Sequence, residues 1–498
     1  MFERFSDLVT LSEPERFYIG GRWVASQGNR RLEVIYPGNE KIIATPPEAS
    51  IEDIDVAVRA AREAFDKGPW PRMSPAERGE KLLAVAEVMK RRAADFSNSW
   101  TGEMGCAMSL AGPGGYSPFG VFNFFGTVVR SRSFVEMRAQ SRKPGVGIIV
   151  REPVGVVAAI TPWNAAASLS AKIVASALGV GCCVILKPAP ETPFCAWLIA
   201  ECIEEAGLPP GVFNFVPAGR EVGDHLIRHP GVDKVSLIGS TAAGRHIASV
   251  CGQRLARVSL ELGGKSPAII LDDADPAAVV PKLVPHFTMN AGQMCAGLTR
   301  IIVPESRHDE YADAIGAAVR ATTVGDPFDP TVVCGPIAMK RQYDKVMGYL
   351  EKGKAEGAQV IAGGGRPRDL SLGYYVEPTL FSGANDMTIA REEIFGPVAV
   401  LIKHRGEDDA VRIANDTDYG LNGAVYTQDP ERAYHVARSV RSGNMTHNDW
   451  VYDLSFPFGG FKCSGIGRDG GPEGLSAYQE LKTIYMDAPP ASIAGALL

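Results

Sequence analysis

Five short apolar runs recur between positions 154 and 271 with helical patterns between them: Val154 to Ile160, Cys183 to Leu186, Val212 to Val216, Lys234 to Ile238 and Ala268 to Leu271. This alternation is the rhythm of βαβ units and predicts a parallel sheet covered by helices. Ligands in such open sheets bind where the strands end. Two of those ends carry Lys187-Pro188-Ala189-Pro190-Glu191-Thr192-Pro193 and Gly239-Ser240-Thr241-Ala242-Ala243-Gly244-Arg245. The second has the glycine spacing of a triphosphate-binding loop, but Arg245-His246 stands where Lys-Ser or Lys-Thr is required, which excludes ATP. A serine opening a helix, as Ser240 does here, can instead donate to a pyrophosphate beside free backbone N–H groups, or serve as a plain N-cap.

A chain of 498 residues exceeds what one hydrophobic core usually supports, so two or three structural units are expected. Its 51 basic and 57 acidic residues are mixed along the chain, the formal net charge is −6, and no five like charges run together, which argues against a nucleic-acid partner. Nine cysteines without a CxxC pair, and an N-terminus bearing Glu3, Arg4 and Asp7, argue against a secreted disulfide protein; a cytoplasmic location is expected. The longest uncharged apolar stretch, Ile173 to Leu186, has 14 residues. That is short of the ~20 that span a bilayer, so no membrane partner is expected and the stretch reads as core helix, turn and strand. The apolar Ile493 to Leu498 is expected to dock on a subunit or to fray.

Gly292-Gln293-Met294-Cys295 presents a cysteine after a turn-forming glycine; placed before a helical segment, such a thiol would be reachable and its pKa lowered. A cysteine alone is more often a small buried hydrophobe. Glu261-Leu262-Gly263-Gly264-Lys265, 34 positions upstream, offers a carboxylate base, though by itself it also reads as a surface acid before a turn. Ile160-Thr161-Pro162-Trp163-Asn164 breaks an apolar run at a proline and ends on an amide that can stabilise an oxyanion or cap a turn. Downstream stand Glu392-Glu393-Ile394-Phe395-Gly396-Pro397 and Pro457-Phe458-Gly459-Gly460-Phe461-Lys462-Cys463-Ser464-Gly465. In this order and near this spacing the set resembles the aldehyde dehydrogenase superfamily, in its NAD(P)-dependent, hydrolytic, non-acylating branch. The resemblance runs from Phe17-Tyr18-Ile19-Gly20-Gly21 to Tyr478-Gln479-Glu480-Leu481-Lys482-Thr483, nearly the whole chain.

The resemblance implies an α/β fold with a Rossmann-like cofactor domain, a second α/β catalytic domain and a small β oligomerisation arm. The expected boundaries are 1–127 with 151–262 for the cofactor domain, 263–463 for the catalytic domain, and 128–150 with 464–498 for the arm and C-terminal segment. Helical patterns in the catalytic part cover Asp309 to Thr322 and Gln342 to Glu356. The arm implies a homodimer or homotetramer. The implied cofactor is NAD, with NADP the second candidate, held by Ile160, Thr161, Pro162, Trp163, Lys187, Glu191, Gly219, Gly223, Gly239, Ser240, Leu262, Glu393 and Phe395. In the family, Lys187 matches a lysine that bonds the adenosine ribose, Ser240 a pyrophosphate ligand, Glu393 the grip on the nicotinamide ribose, and Phe395 a ring near the nicotinamide. One departure is Pro190, where a glutamate for the 2′-hydroxyl is common; Glu191 comes one place late, which weakens discrimination against a 2′-phosphate.

By the same resemblance Cys295 attacks the aldehyde carbon, and the Asn164 amide with the Cys295 backbone N–H holds the hemithioacetal oxyanion. Hydride passes to nicotinamide, and Glu261 activates water against the thioester, giving a carboxylic acid without coenzyme A. Two further departures concern charge. Lys172 falls one position before Ile173, where ungapped counting puts a family lysine; one helical residue is a rotation of ~100°, so Lys172 is expected to face elsewhere. Asp469, in Gly467-Arg468-Asp469, stands for a glutamate. Pocket candidates are Ala165, Ala166, Leu169, Met294, Ala296, Trp450 and Phe458, none of them a cation, and the small alanines leave room for a long or aromatic chain. An apolar aliphatic or aromatic aldehyde is the expected substrate. An NADP-linked semialdehyde dehydrogenase is the alternative, and a non-catalytic binding or structural protein keeping the fold is a third reading. His225 and His229, four apart, lack the glutamate and third ligand of a zinc site, so no metal is expected.

Overall fold

A helix buried on nearly every side organises the first half of the chain. The computed structural model describes residues 3–112 and 117–491, so the expectation for Ile493 to Leu498 lies outside the described residues. Ala166–Val180 is buried along nearly its whole length, because it packs between a sheet and the helix Pro118–Arg130. It ends at Gly181, whose φ of +104° closes the helix in the left-handed region that glycine tolerates. The chain then enters the strand Cys183–Lys187, so Ile173 to Leu186 is indeed helix, turn and strand.

That strand belongs to a six-stranded sheet in the order Gly465–Ile466, Arg257–Glu261, Lys234–Ile238, Val156–Ile160, Cys183–Lys187, Phe213–Phe215. All neighbours are parallel except the short Gly465–Ile466. Four of the five apolar runs are strands here. The fifth is not: Ser266–Ile270 lies in a second sheet, and Arg257–Glu261 takes the place beside Lys234–Ile238. Arg257–Glu261 escapes the apolar pattern because both its ends are charged and only Val258 and Leu260 are apolar. Gly263 and Gly264 carry the chain from one sheet to the other. Gly264 admits no side chain, since a Cβ there would stand 2.4 Å from the Cys295 carbonyl oxygen.

The second sheet has seven strands, in the order Gln359–Ala362, Thr379–Ser382, Val398–His404, Leu298–Pro304, Ser266–Ile270, Ala424–Tyr426, Thr446–His447. It is parallel apart from its first pair. Its central strands are buried on both faces: Ala268, Ile270, Ile301 and Val303 pack into one apolar cluster, Ile269, Ile302 and Val400 into the other. The helices His308–Ala321 and Lys340–Ala355 lie within two residues of the patterns expected there. A third sheet, antiparallel, joins Gln479–Met486, Val146–Pro153 and Val135–Ala139. Leu481, Ile484, Tyr485 and Met486 on its outer strand are exposed. Among the described residues no helix is long and apolar enough to cross a membrane.

Candidate active site

Glu261 closes its strand and Cys295 comes just before the strand Leu298–Pro304, so the junction of the two large sheets brings both to one cavity of about 340 Å³. The approach to Cys295 differs from the turn-into-helix expected. Met289–Gly292 is a 3-10 turn in which Asn290, Ala291 and Gly292 have φ of +53°, +50° and +67°, strained for the first two. No helix follows, and Cys295 sits in the loop leading to the next strand. The expected lowering of its pKa is therefore overturned: no helix N-terminus faces the thiol. Burial, then Glu261 and Glu393, push it well above the ordinary range, and Lys172 opposes them.

Buried amides hold this loop. Gln293 Oε1 accepts from the Ala338 N–H at 2.9 Å, and its Nε2 donates to the Asn290 carbonyl at 3.0 Å. Gly292 has no room for a side chain, because a Cβ would stand 2.2 Å from the Gly396 carbonyl. Asn164 Nδ2 donates to the Gln293 carbonyl at 3.0 Å, which leaves its second N–H for the cavity. Its own carbonyl accepts from Trp100 Nε1 at 2.7 Å and from Asn290 Nδ2 at 3.1 Å. Asn290, not singled out from the sequence, also lines the cavity, with a buried Oδ1 that has no partner among the described residues.

Glu261 is 4% exposed, and neither carboxylate oxygen meets the geometry of a hydrogen bond with a described residue. Burial pushes its carboxyl up to about 7, against the pull of the Lys172 ammonium and with the help of Asp469. Lys172 does not face elsewhere. Its Nζ lies 3.6 Å from Asp469 Oδ2 and 5.2 Å from the centre of the Phe458 ring, inside the cavity. Ala165, at φ −144° and ψ 54°, is not helical and the helix begins at Ala166, so a residue's distance from Asn164 does not by itself give the direction of its side chain. The cavity thus contains a cation, contrary to expectation, but a carboxylate stands beside it. Burial alone would lower the Lys172 pKa; Tyr452, Asp469, Glu261 and Cys295 outweigh it and hold the ammonium well above its ordinary range.

Of the proposed wall residues, Ala165, Leu169, Met294, Ala296, Trp450 and Phe458 line the cavity. Ala166 does not; it is buried at the helix start. Trp100, Phe119, Phe124 and Leu454 complete the apolar wall and were missed. Helical periodicity held the signal for two of them: in Pro118–Arg130, Phe122 and Phe125 enter the core, whereas Phe119 and Phe124 turn to the cavity.

A second depression, about 770 Å³, crosses the ends of the strands Val156–Ile160, Cys183–Lys187 and Lys234–Ile238. Ile160, Lys187, Gly219, Gly223 and Ser240 line it. Lys187 is buried, and its Nζ donates to the carbonyls of Pro188 at 2.8 Å and Ala218 at 2.7 Å. Burial lowers its pKa to about 8. Gly223 leaves space where a Cβ would stand 3.0 Å from Lys187 Cδ. Ser240 caps the helix Thr241–Arg254, accepting from the Ala243 N–H at 3.2 Å, so the N–H groups of Thr241 and Ala242 face outward without helical partners. Such an end receives anions.

The remaining positions surround these two spaces. Gly239 joins a strand to the capped helix, and Leu262 is buried against Gly244. Thr161 is buried and accepts from Ser170 Oγ at 2.9 Å; beyond Pro162, Trp163 meets Phe395 edge-on at 5.3 Å. Glu393 accepts from the Gly264 N–H at 3.1 Å. Glu191 does not line the groove, although its charge reaches Lys187; Arg341 holds it at 2.5 Å, a distant partner that chain order does not reveal. His225 and His229 turn to Asp55, at 2.7 and 3.6 Å.

Comparison with known proteins places this geometry. The model of the aldehyde dehydrogenase family matches residues 23–484. The chain is 42% identical over 474 residues to geranial dehydrogenase of Castellaniella defragrans, covering 95% of this chain and 98% of that protein. It is 42% identical over 482 residues to 3-succinoylsemialdehyde-pyridine dehydrogenase of a Pseudomonas species, covering 95% and 99%. Among solved structures, a Mycobacterium tuberculosis aldehyde dehydrogenase complexed with NAD+ superposes with a TM-score of 0.93 at 40% identity, covering 96% of this chain and 99% of that one. A mutant of aldehyde dehydrogenase C from Pseudomonas syringae, in complex with NAD+ and octanal, gives 0.92 at 37% identity over 97% and 99%.

Proposed function

The chain belongs to the aldehyde dehydrogenase family, NAD(P)-dependent enzymes that oxidise aldehydes to carboxylic acids, and we propose that Cys295, Asn164 and Glu261 perform that oxidation here on an apolar aldehyde. One observation carries the reading: a thiol, an amide N–H and a buried carboxylate that interacts with the thiol line a single cavity. Burial disfavours the thiolate, so its proton needs a local base, and a carboxyl near 7 can take it at neutral pH. The Cys295 sulfur then bonds to the aldehyde carbon. The second N–H of Asn164 and the Cys295 backbone N–H are the donors for the oxyanion. Once the thiol proton has passed from Glu261 to solvent, the carboxylate removes a proton from the water that cleaves the thioester and releases Cys295, and Lys172, beside Asp469, stabilises negative charge on either reactive group.

NAD suits the groove. Lys187 keeps one unused ammonium proton for a ribose, the outward N–H groups of Thr241 and Ala242 suit a pyrophosphate, and Gly223 leaves room beside them. Glu393 is the remaining candidate, for the second ribose. Held by these residues, NAD would supply the acceptor for the hydride that leaves the substrate carbon. With Glu191 held by Arg341, the argument against a 2′-phosphate stays weak, and NADP is the second cofactor to test.

The substrate reading rests on the cavity wall: Trp100, Phe119, Phe124, Leu169, Trp450 and Phe458 are apolar, and the Lys172 charge is matched by Asp469. An aliphatic or aromatic aldehyde suits it, in line with the octanal and geranial that relatives take. The exposed Leu481, Ile484, Tyr485 and Met486 support assembly with further copies of the chain as a homodimer or homotetramer. The test is nicotinamide reduction with NAD or NADP against octanal, an aromatic aldehyde and a dicarboxylic semialdehyde, without coenzyme A. Octanal or the aromatic aldehyde should turn over fastest, and the activity should vanish in Cys295→Ala. Faster turnover of the semialdehyde overturns the apolar reading; persistent activity in the variant overturns the nucleophile.

A further inference from the structure

Trp450, in the wall of the reactive cavity, is backed by a histidine that the chemistry does not use. His286, in the short helix Pro285–Thr288, is 8% exposed and does not itself line the cavity. Its ring centre lies 5.4 Å from that of Trp450, inclined at 45°, within the range of an aromatic contact. Its Nε2 stands 3.6 Å from Asp449 Oδ1, close enough for an ion pair but too long for a firm hydrogen bond. Its Nδ1 has no hydrogen-bond partner among the described residues. The same Asp449 Oδ1 accepts from the Trp450 N–H at 2.7 Å. One histidine therefore meets the indole directly and, through Asp449, meets the main chain that carries it.

A ring that served as core packing alone would be better apolar, since buried nitrogens without firm hydrogen bonds cost free energy. Asp449 is the charge that acts on this one. The turn Met289–Gly292, packed against the same helix, has no ionisable side chain. Lys282, from the helix Pro276–Leu283, donates to the Asn448 carbonyl at 3.2 Å. Arg300, from Leu298–Pro304, is committed to main-chain carbonyls and Asn385. In Val398–His404, Lys403 is exposed and His404 lies 3.0 Å from the carbonyls of Ile270 and Gly406. The Tyr426 hydroxyl, buried, feels Asp449 and is held protonated. Burial lowers the His286 pKa and Asp449 opposes it, so the ring is neutral at neutral pH and gains its charge in acid.

We propose that His286 is the positioning residue of Trp450: its ring seats the indole against the cavity, and its Nε2, through Asp449, sets the main chain from which the indole projects. The inference rests on the reading of this cavity as the aldehyde site. The tightness with which an apolar chain is held then follows His286, while the reacting groups do not. A charged His286 draws the Asp449 carboxylate from the Trp450 N–H, and the wall loosens.

The test is octanal binding, by calorimetry, to the full chain carrying Cys295→Ala, in which no reaction proceeds. Adding His286→Ala should weaken binding about 10-fold at pH 8, whereas His286→Phe, which keeps a ring against Trp450, should stay within about 2-fold. Between about pH 8 and pH 5.5 the protein with His286 should lose roughly 3-fold in affinity and the His286→Phe protein should not. With Cys295 restored, His286→Phe should keep kcat within about 2-fold at pH 8. If the alanine variant fails to fold, the pH response of the phenylalanine variant decides alone. Equal affinity with alanine at 286, or the same pH response with and without the imidazole, overturns the proposal. Should octanal bind to none of these proteins, the apolar reading of the cavity falls instead, and the same comparison on the aldehyde that the enzyme does oxidise decides the place of His286.

Discussion

Lys172 in the reactive cavity and Lys187 in the groove are both buried, and burial alone would make both easier to deprotonate. They diverge. Lys172 has Asp469 at 3.6 Å, with Glu261 and Cys295 near, and is held firmly charged. Lys187 donates to the carbonyls of Pro188 and Ala218, and burial outweighs the more weakly acting Glu191 and Glu48, so its pKa falls to about 8. The partner, more than the burial, sets the charge. One region is therefore built on balanced charges that change during reaction, the other on fixed dipoles that position a ligand. Substitutions should sort accordingly, into those that alter chemistry and pH dependence and those that alter binding.

The sharpest test removes the nucleophile. Cys295→Ala should cut turnover by at least ~10⁴-fold while NAD binding, read by calorimetry, stays within about 2-fold; parallel loss of both would erase the distinction between the regions. Glu261→Gln should cost roughly 10³-fold in steady-state turnover. Smaller, but more telling, is Lys172→Met, expected to lower kcat/KM by about 10-fold at neutral pH. In the wild type the base works when deprotonated, so activity is present above about 7 and is lost as pH falls through it. Without the ammonium both the thiol and the carboxyl become harder to ionise, and the profile should move to higher pH; an unmoved profile would place Lys172 outside the chemistry. Smallest is Lys187→Met, which should raise KM for NAD about 10-fold and leave kcat nearly unchanged, since one charged donor is lost from binding alone. A fall in kcat with constant KM would break the comparison from the groove side.

The parallel sheet was legible because four of its strands are mainly apolar, and the residues at Asn164, Glu261 and Cys295 were legible as motifs. Arg257–Glu261 was hidden by its charged ends, although it carries Glu261. The direction of Lys172 was hidden because it depends on where the helix begins, which the run of alanines from Ala165 does not mark. The thiol's surroundings could not be read at all. Gly292 suggested a turn before a helix, whereas three successive left-handed residues, wedged by Gly396 and Gln293, lead into a strand. The pairing of Glu191 with Arg341, 150 positions on, is a tertiary fact with no local trace.

The central claim is that Cys295 carries the acyl group and that Glu261 releases it. Glu261→Gln should be mixed with NAD and octanal at alkaline pH, where the thiolate forms without help, and the intact protein weighed. The account predicts a single burst of NADH and an octanoyl mass on Cys295 that persists for want of a base. Continued turnover with no adduct, or an adduct that survives replacement of Cys295, would contradict it.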